Sequence, residues 1–250
     1  MPSRLLRAVI FDLGGTLMYP RESWPPIMER AYAALADSLC EQGFNLDRHT
    51  VHDDLKNRLD HYFTRRDADL FEATYLAVLR GLLAEAGHPD VPEAPIRRAL
   101  DAMYSHTQPN WTLEEDAMLA LRTLEAGGYR LGMVSNAGDN QDVFQLVERF
   151  GIEPYFDFIL TSAACSYRKP HPRIFELALA HWGIPAQEVA MVGDSLEADV
   201  QGAKTAGLYS VWITRRVTKP LARPEVRPDA RIRTLSELPV LFSNLLRQAA

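Results

Sequence analysis

The sequence has few cysteines, no net positive charge and no long apolar run, and each absence excludes a class of protein. Its two cysteines, Cys40 and Cys165, are too few for a disulfide framework. The formal net charge of -6 argues against broad nucleic-acid binding, which needs a basic face. No apolar stretch reaches the roughly 18 residues of a membrane span, and the first residues show no secretory signal pattern. We therefore expect a cytoplasmic protein without nucleic-acid or membrane partners, and nothing in the sequence indicates its oligomeric state.

What the sequence does contain is a set of short apolar runs that stop abruptly at small polar or acidic residues. The first run, residues 8–11, ends at Asp12. The other runs and the residues that end them are 131–134 at Ser135-Asn136, 156–160 at Thr161-Ser162, and 189–192 at Gly193-Asp194. In an open parallel sheet the carboxyl ends of the strands share one edge, where ligands bind. We therefore expect Asp12, Ser135 and Asp194 to converge at that edge.

The spacing of apolar residues divides the chain into two regions. From residue 112 onward helical and strand patterns alternate, which is typical of parallel βαβ units. Between residues 22 and 107 the patterns are helical only, with four amphipathic stripes within 27–39, 51–62, 71–82 and 96–103. The sequence thus predicts an α/β fold with a doubly wound parallel-sheet (Rossmann-like) core and an inserted α-helical bundle cap. The core is expected at residues 1–20 and 108–250 and the cap at 21–107, where it is positioned to act as a lid.

Glycines and prolines set the expected ends of the elements in the core region. The predicted helices are 113–126, 141–150, 172–182, 196–206 and 236–247. The predicted strands after the first are 130–135, 156–161, 188–193, 208–213 and 230–233. Residues 214–229, rich in Arg and Pro, are expected to form a loop.

The residues from Asp12 to Thr16 form the first candidate site. A carboxylate at the end of a strand is a candidate nucleophile or metal ligand, and the alternative is an Asp that caps a turn. Gly14 and Gly15 permit unusual backbone angles and the close approach of a ligand. Thr16 can hydrogen-bond an anion or cap the segment that follows.

Two further candidates follow later strands. The short side chains of Ser135 and Asn136 suit phosphate oxygens, and the alternative is a helix cap. Lys169 lies in a stretch with prolines at the next position and at the third position beyond it. Because these prolines stiffen the backbone, we expect a fixed ammonium rather than a solvated charge. We interpret its neighbour Arg168 as a surface residue.

The segment 193–199 carries three carboxylates, those of Asp194, Glu197 and Asp199, directly after a buried strand. Clustered carboxylates repel one another unless a cation lies among them. Oxygen-rich surroundings without cysteine favour Mg²⁺ over zinc or copper. Asp194 is the expected ligand, and Asp199 is expected to orient Lys169 or Asp194.

These residues, in this order, resemble the haloacid dehalogenase (HAD) superfamily of hydrolases. The matching motifs span nearly the whole chain and are Asp12-Leu13-Gly14-Gly15-Thr16, Ser135, Lys169-Pro170, and Gly193-Asp194 through Asp199. The helical insert between the first and second motifs looks like the C1 cap of that family. The resemblance implies a phosphatase that uses Mg²⁺ and acts on a small phosphorylated metabolite.

The resemblance also implies roles for individual residues. Asp12 would attack phosphorus and form an aspartyl-phosphate, and Lys169 would neutralise Asp12 and the transferring group. Mg²⁺ would bind the Asp12 carboxylate, the backbone carbonyl of Gly14, and Asp194. Asp199 would not bind the metal directly but would help to hold the metal site and the lysine in place. The expected contacts to the phosphoryl group are Gly15, Thr16, Ser135, Asn136 and Lys169. The cation and the ammonium would offset the repulsion between two negative reactants.

The sequence departs from the phosphatases of this family two residues after the nucleophile. A second Asp usually stands there, donates a proton to the leaving alcohol and later activates water, whereas this chain has Gly14. Loss of a general acid–base costs about 10²–10⁴-fold in rate. We therefore expect the substitution Gly14→Asp to raise activity on alkyl phosphates.

Three interpretations of this departure stay open. In the first, the chain is a phosphatase whose substrate has a good leaving group, or which draws the proton from water or from cap residues such as His61, Arg65 and Arg66. In the second, it cleaves a carbon–halogen or carbon–phosphorus bond. The acidic motif at Asp194 argues against the halogen branch, because dehalogenases of this family do not need the metal. In the third, it is a non-catalytic protein that binds metal and anion.

Overall fold

Six parallel strands form a sheet whose central strands are the apolar runs of the sequence. The computed structural model describes residues 5–217 and 225–249. In chain order the strands of this sheet are β1 (Ala8–Phe11), β4 (Arg130–Ser135), β5 (Phe158–Thr161), β6 (Val189–Gly193), β7 (Tyr209–Ile213) and β8 (Ala230–Ile232), with β2 and β3 given below. Val9 and Phe11 enter the apolar core on one face, and Ala8 and Ile10 enter the core on the other. Burial on both faces explains why β1 is a continuous apolar run.

Strand β1 lies where the order of the strands reverses. The spatial order is β5-β4-β1-β6-β7-β8, so β1 pairs with β4 on one side and with β6 on the other. Ligands in such sheets bind outside the carboxyl ends of the strands at this point. The ends of these three strands carry Asp12, Ser135 and Asp194 to one edge. The prediction of an α/β fold with a parallel sheet is confirmed.

Helices cover both faces of this sheet. Residues of α5 (Ala117–Ala126), α6 (Asn140–Arg149) and α10 (Leu238–Ala249) enter the core on one face. Residues of α8 (Pro172–Ala180) and α9 (Gly202–Thr205) enter the core on the other. The short helix α7 (Ser162–Cys165) was not predicted. Over the described ranges, no helix combines the length and the apolar character needed to cross a membrane.

The prediction of one continuous α-helix over residues 196–206 is wrong. Leu196–Gln201 is a π-helix, and α9 follows it. The amides of both Asp199 and Val200 donate to the carbonyl of Ser195, at 3.0 and 3.1 Å, which widens the turn. This wider turn is where Asp199 is buried.

A small antiparallel pair joins the core region to the helical insert. Strand β2 (Met18–Pro20) pairs with β3 (Trp111–Leu113), and Met18 lies opposite Leu113. The helix predicted from residue 113 therefore begins later, at Ala117. The amide of Glu114 also donates to the Leu17 carbonyl at 2.8 Å, which holds this stretch away from a helical course.

Four helices lie between β2 and β3: α1 (Trp24–Glu41), α2 (Arg48–Asp69), α3 (Tyr75–Glu85) and α4 (Glu93–Thr107). We call residues 24–107 the helical insert; their buried apolar side chains form a separate core. The predicted third stripe began at Phe71, but α3 begins after Thr74, whose hydroxyl accepts a hydrogen bond from the Ala77 amide at 3.2 Å. Phe71 instead forms an antiparallel bridge with Tyr167. The assignment of the chain to a core and a cap domain with boundaries at residues 20 and 107 stays a prediction.

Candidate active site

Asp12, directly after β1, is held by a cation on one oxygen and a hydroxyl on the other. The ammonium of Lys169 donates to Asp12 Oδ1 at 2.7 Å and to Asp199 Oδ1 at 2.7 Å. The hydroxyl of Thr16 donates to Asp12 Oδ2 at 3.1 Å. All four side chains are buried. Charge-assisted hydrogen bonds of this kind fix the orientation of a carboxylate.

Three carboxylates crowd around this single ammonium. Asp12, Asp194 and Asp199 each place an oxygen within 4.8 Å of the others. Burial raises the pKa of Asp194 to about 8, and the charges of Asp12 and Asp199 add to this shift. Burial also raises the pKa of Asp199 to about 6. The cluster carries more negative charge than Lys169 offsets, and its oxygen donors are those that Mg²⁺ prefers.

The lysine itself stays charged. Burial alone would lower the pKa of Lys169, but the neighbouring charges of Asp12 and Asp199 raise it above its ordinary value. The lysine therefore remains a fixed ammonium between two carboxylates at neutral pH. This is the fixed cation that the two neighbouring prolines predicted.

Two glycines let the acidic groups approach the backbone. Gly15 has φ +87°, and a Cβ on it would lie 2.4 Å from Asp194 Oδ2. A Cβ on Gly193 would lie 2.2 Å from Asp199 Cγ. Neither position can carry a side chain without displacing a carboxylate of the cluster. The carboxylates of Asp194 and Asp199 therefore pack directly against the backbone at Gly15 and Gly193.

Gly15 and Thr16 already have partners in the turn after Asp12. The Gly15 amide donates to the Met18 carbonyl at 2.7 Å, and the Thr16 hydroxyl donates to Asp12. Both residues therefore shape the turn, and Thr16 orients the Asp12 carboxylate. Their contact with a phosphoryl group stays a prediction.

Asn136 positions the lysine. Its Oδ1 accepts from the Lys169 amide at 2.8 Å, and its Nδ2 donates to the Lys169 carbonyl at 2.9 Å. This two-way bond ties the end of β4 to the loop that carries the ammonium. Ser135, the last residue of β4, is buried beside the same cavity as Asp12. The predicted phosphate contacts of Ser135 and Asn136 remain predictions.

An indole ring lies where a side chain on Gly14 would point. A Cβ built on Gly14 would lie 3.2 Å from Cη2 of Trp111. The Trp24 ring packs edge-on against Trp111, with the ring centroids 5.0 Å apart. Neither tryptophan was predicted to line the site, because nothing in the local sequence pattern indicates that β3 brings Trp111 to Gly14.

A cavity of about 590 Å³ opens over Asp12 between the core and the helical insert. The core lines it with the acidic cluster, Ser135, Asn136 and Lys169. The insert and β3 supply a mostly aromatic and thioether wall: Trp24, Met28, Tyr32, Tyr75, Met103, Tyr104 and Trp111. The predicted site residues thus converge, and the insert closes the space above them.

The family follows from comparison with known proteins. The model of the haloacid dehalogenase-like hydrolases matches residues 6–207. The chain belongs to this family. A ribulose-1,5-bisphosphate 5-phosphatase of Halopiger xanaduensis is 32% identical over 247 residues, covering 94% of this chain and 99% of the relative. The predicted resemblance and the prediction of a HAD-like hydrolase are confirmed.

Solved structures of HAD-like hydrolases share the fold over nearly the whole chain. A HAD phosphatase from Thermococcus onnurineus gives a TM-score of 0.64 at 25% identity and covers 94% of this chain and 97% of that chain. A 2-haloacid dehalogenase from Pseudomonas syringae gives a TM-score of 0.69 at 24% identity and covers 98% and 100%. The fold is therefore shared with family members of different chemistry, so the reaction must be argued from the site.

In this HAD-like hydrolase, buried charges join the insert to the core beside Lys169. Arg168 forms an ion pair with Glu72 of the insert, and Ser162 donates to the same carboxylate at 2.5 Å. The Glu72 amide donates to the Ser166 carbonyl at 3.0 Å. Arg168 is only 7% exposed, so its interpretation as a surface residue is wrong. The contact forms between residues that are distant in the sequence, which hid it from local patterns.

A second contact closes the HAD-like cavity near the start of α6. Asp139 Oδ2 accepts from Arg97 at 2.6 Å and from the Tyr104 hydroxyl at 2.8 Å.

His61 and Arg65, considered above as proton sources, line a different cavity of about 570 Å³ within the insert. The side chain of Arg66 lies outside the described part of the chain. The cavity over Asp12 receives neither His61 nor Arg65.

Proposed function

We propose that this HAD-like hydrolase is a Mg²⁺-dependent phosphatase that acts on a small phosphorylated metabolite through an aspartyl-phosphate on Asp12. The observation that carries the proposal is the buried ammonium of Lys169, which bridges Asp12 and Asp199 beside the third carboxylate of Asp194. The name of the Halopiger xanaduensis relative, a sugar-phosphate phosphatase, supports the same reaction class.

The residues divide the work of phosphoryl transfer. An oxygen of Asp12 forms a bond to phosphorus while the bond from phosphorus to the leaving oxygen breaks, and water later hydrolyses the acyl phosphate. Lys169 offsets the charge of Asp12 and of the transferring group. Ser135 would hold a phosphoryl oxygen, and Asp199 positions Lys169. Mg²⁺, held by Asp12, the Gly14 carbonyl and Asp194, would supply the divalent charge that lets two anions meet.

Gly14 leaves the departing oxygen without a carboxylic proton donor. General acid catalysis typically contributes about 10²–10⁴-fold, so leaving groups that need a proton are expected to react slowly. The proposed phosphatase is therefore selective for substrates with good leaving groups. Alternatives in which the chain cleaves another bond, or binds metal and anion without turnover, are distinguished by the test below.

The test is a turnover screen of the purified chain. We expect release of phosphate from 4-nitrophenyl phosphate and acetyl phosphate with Mg²⁺ and background rates with EDTA. Asp12→Asn should reduce turnover to background. Asp101→Asn, an exposed aspartate of the insert, is the matched control and should keep it. Metal-independent halide release from 2-haloacids would select carbon–halogen cleavage, and Mg²⁺-dependent anion binding without turnover would select the binder.

The setting of the protein is part of the same proposal. A small phosphorylated substrate, a cytoplasmic location and the absence of nucleic-acid and membrane partners all stay predictions. The net charge of -6 supports the absence of a nucleic-acid partner. Retention of the protein on a heparin column at physiological salt would count against it.

A further inference from the structure

The cavity above Asp12 also indicates which leaving group the site accepts. Resting on the phosphatase activity proposed above, we propose that the substrate is an aryl phosphate whose leaving group is an uncharged aromatic ring packed against Trp111 and Trp24. Three features favour this class: the shape of the wall, the charges that line the cavity and the chemistry of the departing oxygen.

The wall next to the reacting carboxylate is aromatic. Gly14 belongs to the turn that follows Asp12, and Trp111 Cη2 lies 3.2 Å from the place of a Cβ there. Trp24 meets Trp111 at an interplanar angle of 61°. Edge-to-face and offset ring contacts are the preferred arrangements of aromatic groups. Met28 and Met103 continue the wall, and thioether side chains adapt to rings of different outline.

The charges that line the cavity disfavour a second anionic group on the substrate. Among the described lining residues, Lys169 is the only cation, and its ammonium is bound to Asp12 and Asp199. The other charged residues of the lining outside the cluster are acidic, Asp139 and Asp142. A second phosphate or a carboxylate would be desolvated beside these acids without a cationic partner, which is costly.

The two acids do not call for a cationic substrate either. Asp139 Oδ2 already accepts from Arg97 and from the Tyr104 hydroxyl. Asp142 accepts from the Gln108 amide at 2.9 Å. Because both carboxylates have partners in the protein, the cavity fits an uncharged leaving group.

The chemistry of departure favours the same class. When an oxygen of Asp12 bonds to phosphorus, the electron pair of the broken bond stays on the leaving oxygen. A phenolate spreads this charge over its ring and later takes a proton from water, whereas an alkoxide needs the proton during the step. With Gly14 in place of an acid, an aryl oxide can leave without help.

The experiment compares substrates matched for leaving-group acidity. Phenyl phosphate is compared with 4-carboxyphenyl phosphate, and 2,4-dinitrophenyl phosphate with acetyl phosphate, each with Mg²⁺. We expect kcat/KM to be at least about tenfold higher for phenyl phosphate than for its carboxylated analogue, because the extra charge has no partner. We expect an advantage of about tenfold for the dinitrophenyl ester over acetyl phosphate from the ring contacts.

A pair of tryptophan variants assigns the ring contact. Trp111→Leu should remove most of the advantage of the dinitrophenyl ester over acetyl phosphate. Trp182→Leu is the matched control, because Trp182 packs on Phe158 and does not line this cavity. It should change the ratio by less than about twofold, as expected for a site without contact.

The outcomes separate the two proposals. Absence of Mg²⁺-dependent, Asp12-dependent turnover of every phosphate would overturn the proposed phosphatase. Turnover of acetyl phosphate together with equal rates for phenyl and 4-carboxyphenyl phosphate would keep the phosphatase and overturn the aryl leaving group. A dinitrophenyl advantage that survives Trp111→Leu would also overturn it, because the ring would then be bound elsewhere.

Discussion

The substitution Gly14→Asp tests whether Trp111 of the aromatic wall occupies the space that an acidic side chain at residue 14 would need. A Cβ at residue 14 would lie 3.2 Å from Cη2 and 3.7 Å from Cζ3 of Trp111, and the carboxyl group must extend beyond it. The indole has Trp24 packed against it, with ring centroids 5.0 Å apart. Overpacking of this kind costs about 1–3 kcal/mol. We therefore expect the single variant to lose stability and to gain no activity on alkyl phosphates.

Removing the indole should give the new carboxyl group room. In the background of Trp111→Ala, we expect Gly14→Asp to raise kcat/KM for ethyl phosphate by about 10²-fold or more, the typical contribution of a general acid. Gly14→Asn in the same background is the matched control, since its amide has similar size but no carboxylic proton. This replaces the expectation from the sequence that Gly14→Asp alone would raise activity on alkyl phosphates.

The measurements are urea unfolding and steady-state kinetics of the unsubstituted protein and the four variants with ethyl phosphate and Mg²⁺. An equal gain with Asn and Asp at residue 14 would show that a proton is not what the site lacks. A large gain in the single Gly14→Asp variant at unchanged stability would refute the claim that Trp111 occupies the acid's place. A folded double variant without any gain would refute the claim that the missing acid limits alkyl phosphates.

Two further predictions concern buried charge. Arg168→Met leaves Glu72 buried without its cation and should lower the free energy of unfolding by about 3–5 kcal/mol at pH 8. Replacing both residues, Arg168→Met with Glu72→Leu, should recover most of that loss in urea unfolding, and an additive double variant would contradict the pairing. Burial raises the pKa of Asp142 to about 6, above its unfolded value, so the native protein loses stability as the pH rises from about 4 through 6. Asp142→Asn should therefore match the unsubstituted protein near pH 4 and exceed it by about 1–3 kcal/mol at pH 8, and equal stability at pH 8 would contradict a buried charge.

The elements that the sequence predicted well are those whose pattern is set by burial on two faces. Residues 8–11 form β1 because both sides of the strand are covered, and the same reasoning located β4, β6 and β7. The carboxylates and the serine at the strand ends could be placed at one edge, because parallel strands share it. The shared edge alone was enough to predict that Asp12, Ser135 and Asp194 lie together.

The parts that were missed depend on contacts between distant residues. Asn136 was predicted as a phosphate contact, and that contact stays a prediction. What the sequence did not indicate is that its two polar side-chain atoms bind the Lys169 backbone. Arg168 looked like a surface charge until the fold brought Glu72 beside it. Trp111 lay in no recognisable motif, and only the pairing of β3 with β2 places it over Gly14.

Gly14 and Gly15, which follow Asp12 closely, are glycines for different physical reasons. In the proposed phosphatase this difference links turnover to selectivity. Gly15 is required by its positive φ and by Asp194 Oδ2, which lies 2.4 Å from the place of a Cβ, so the geometry of the carboxylate cluster depends on it. Gly14 has no positive φ, and the side chain that lies over it is that of Trp111 in β3. The charged cluster that would transfer a phosphoryl group is therefore built by the core. In the proposed phosphatase, the surface that decides which leaving group can depart is built by Trp24 of the helical insert and Trp111 of β3.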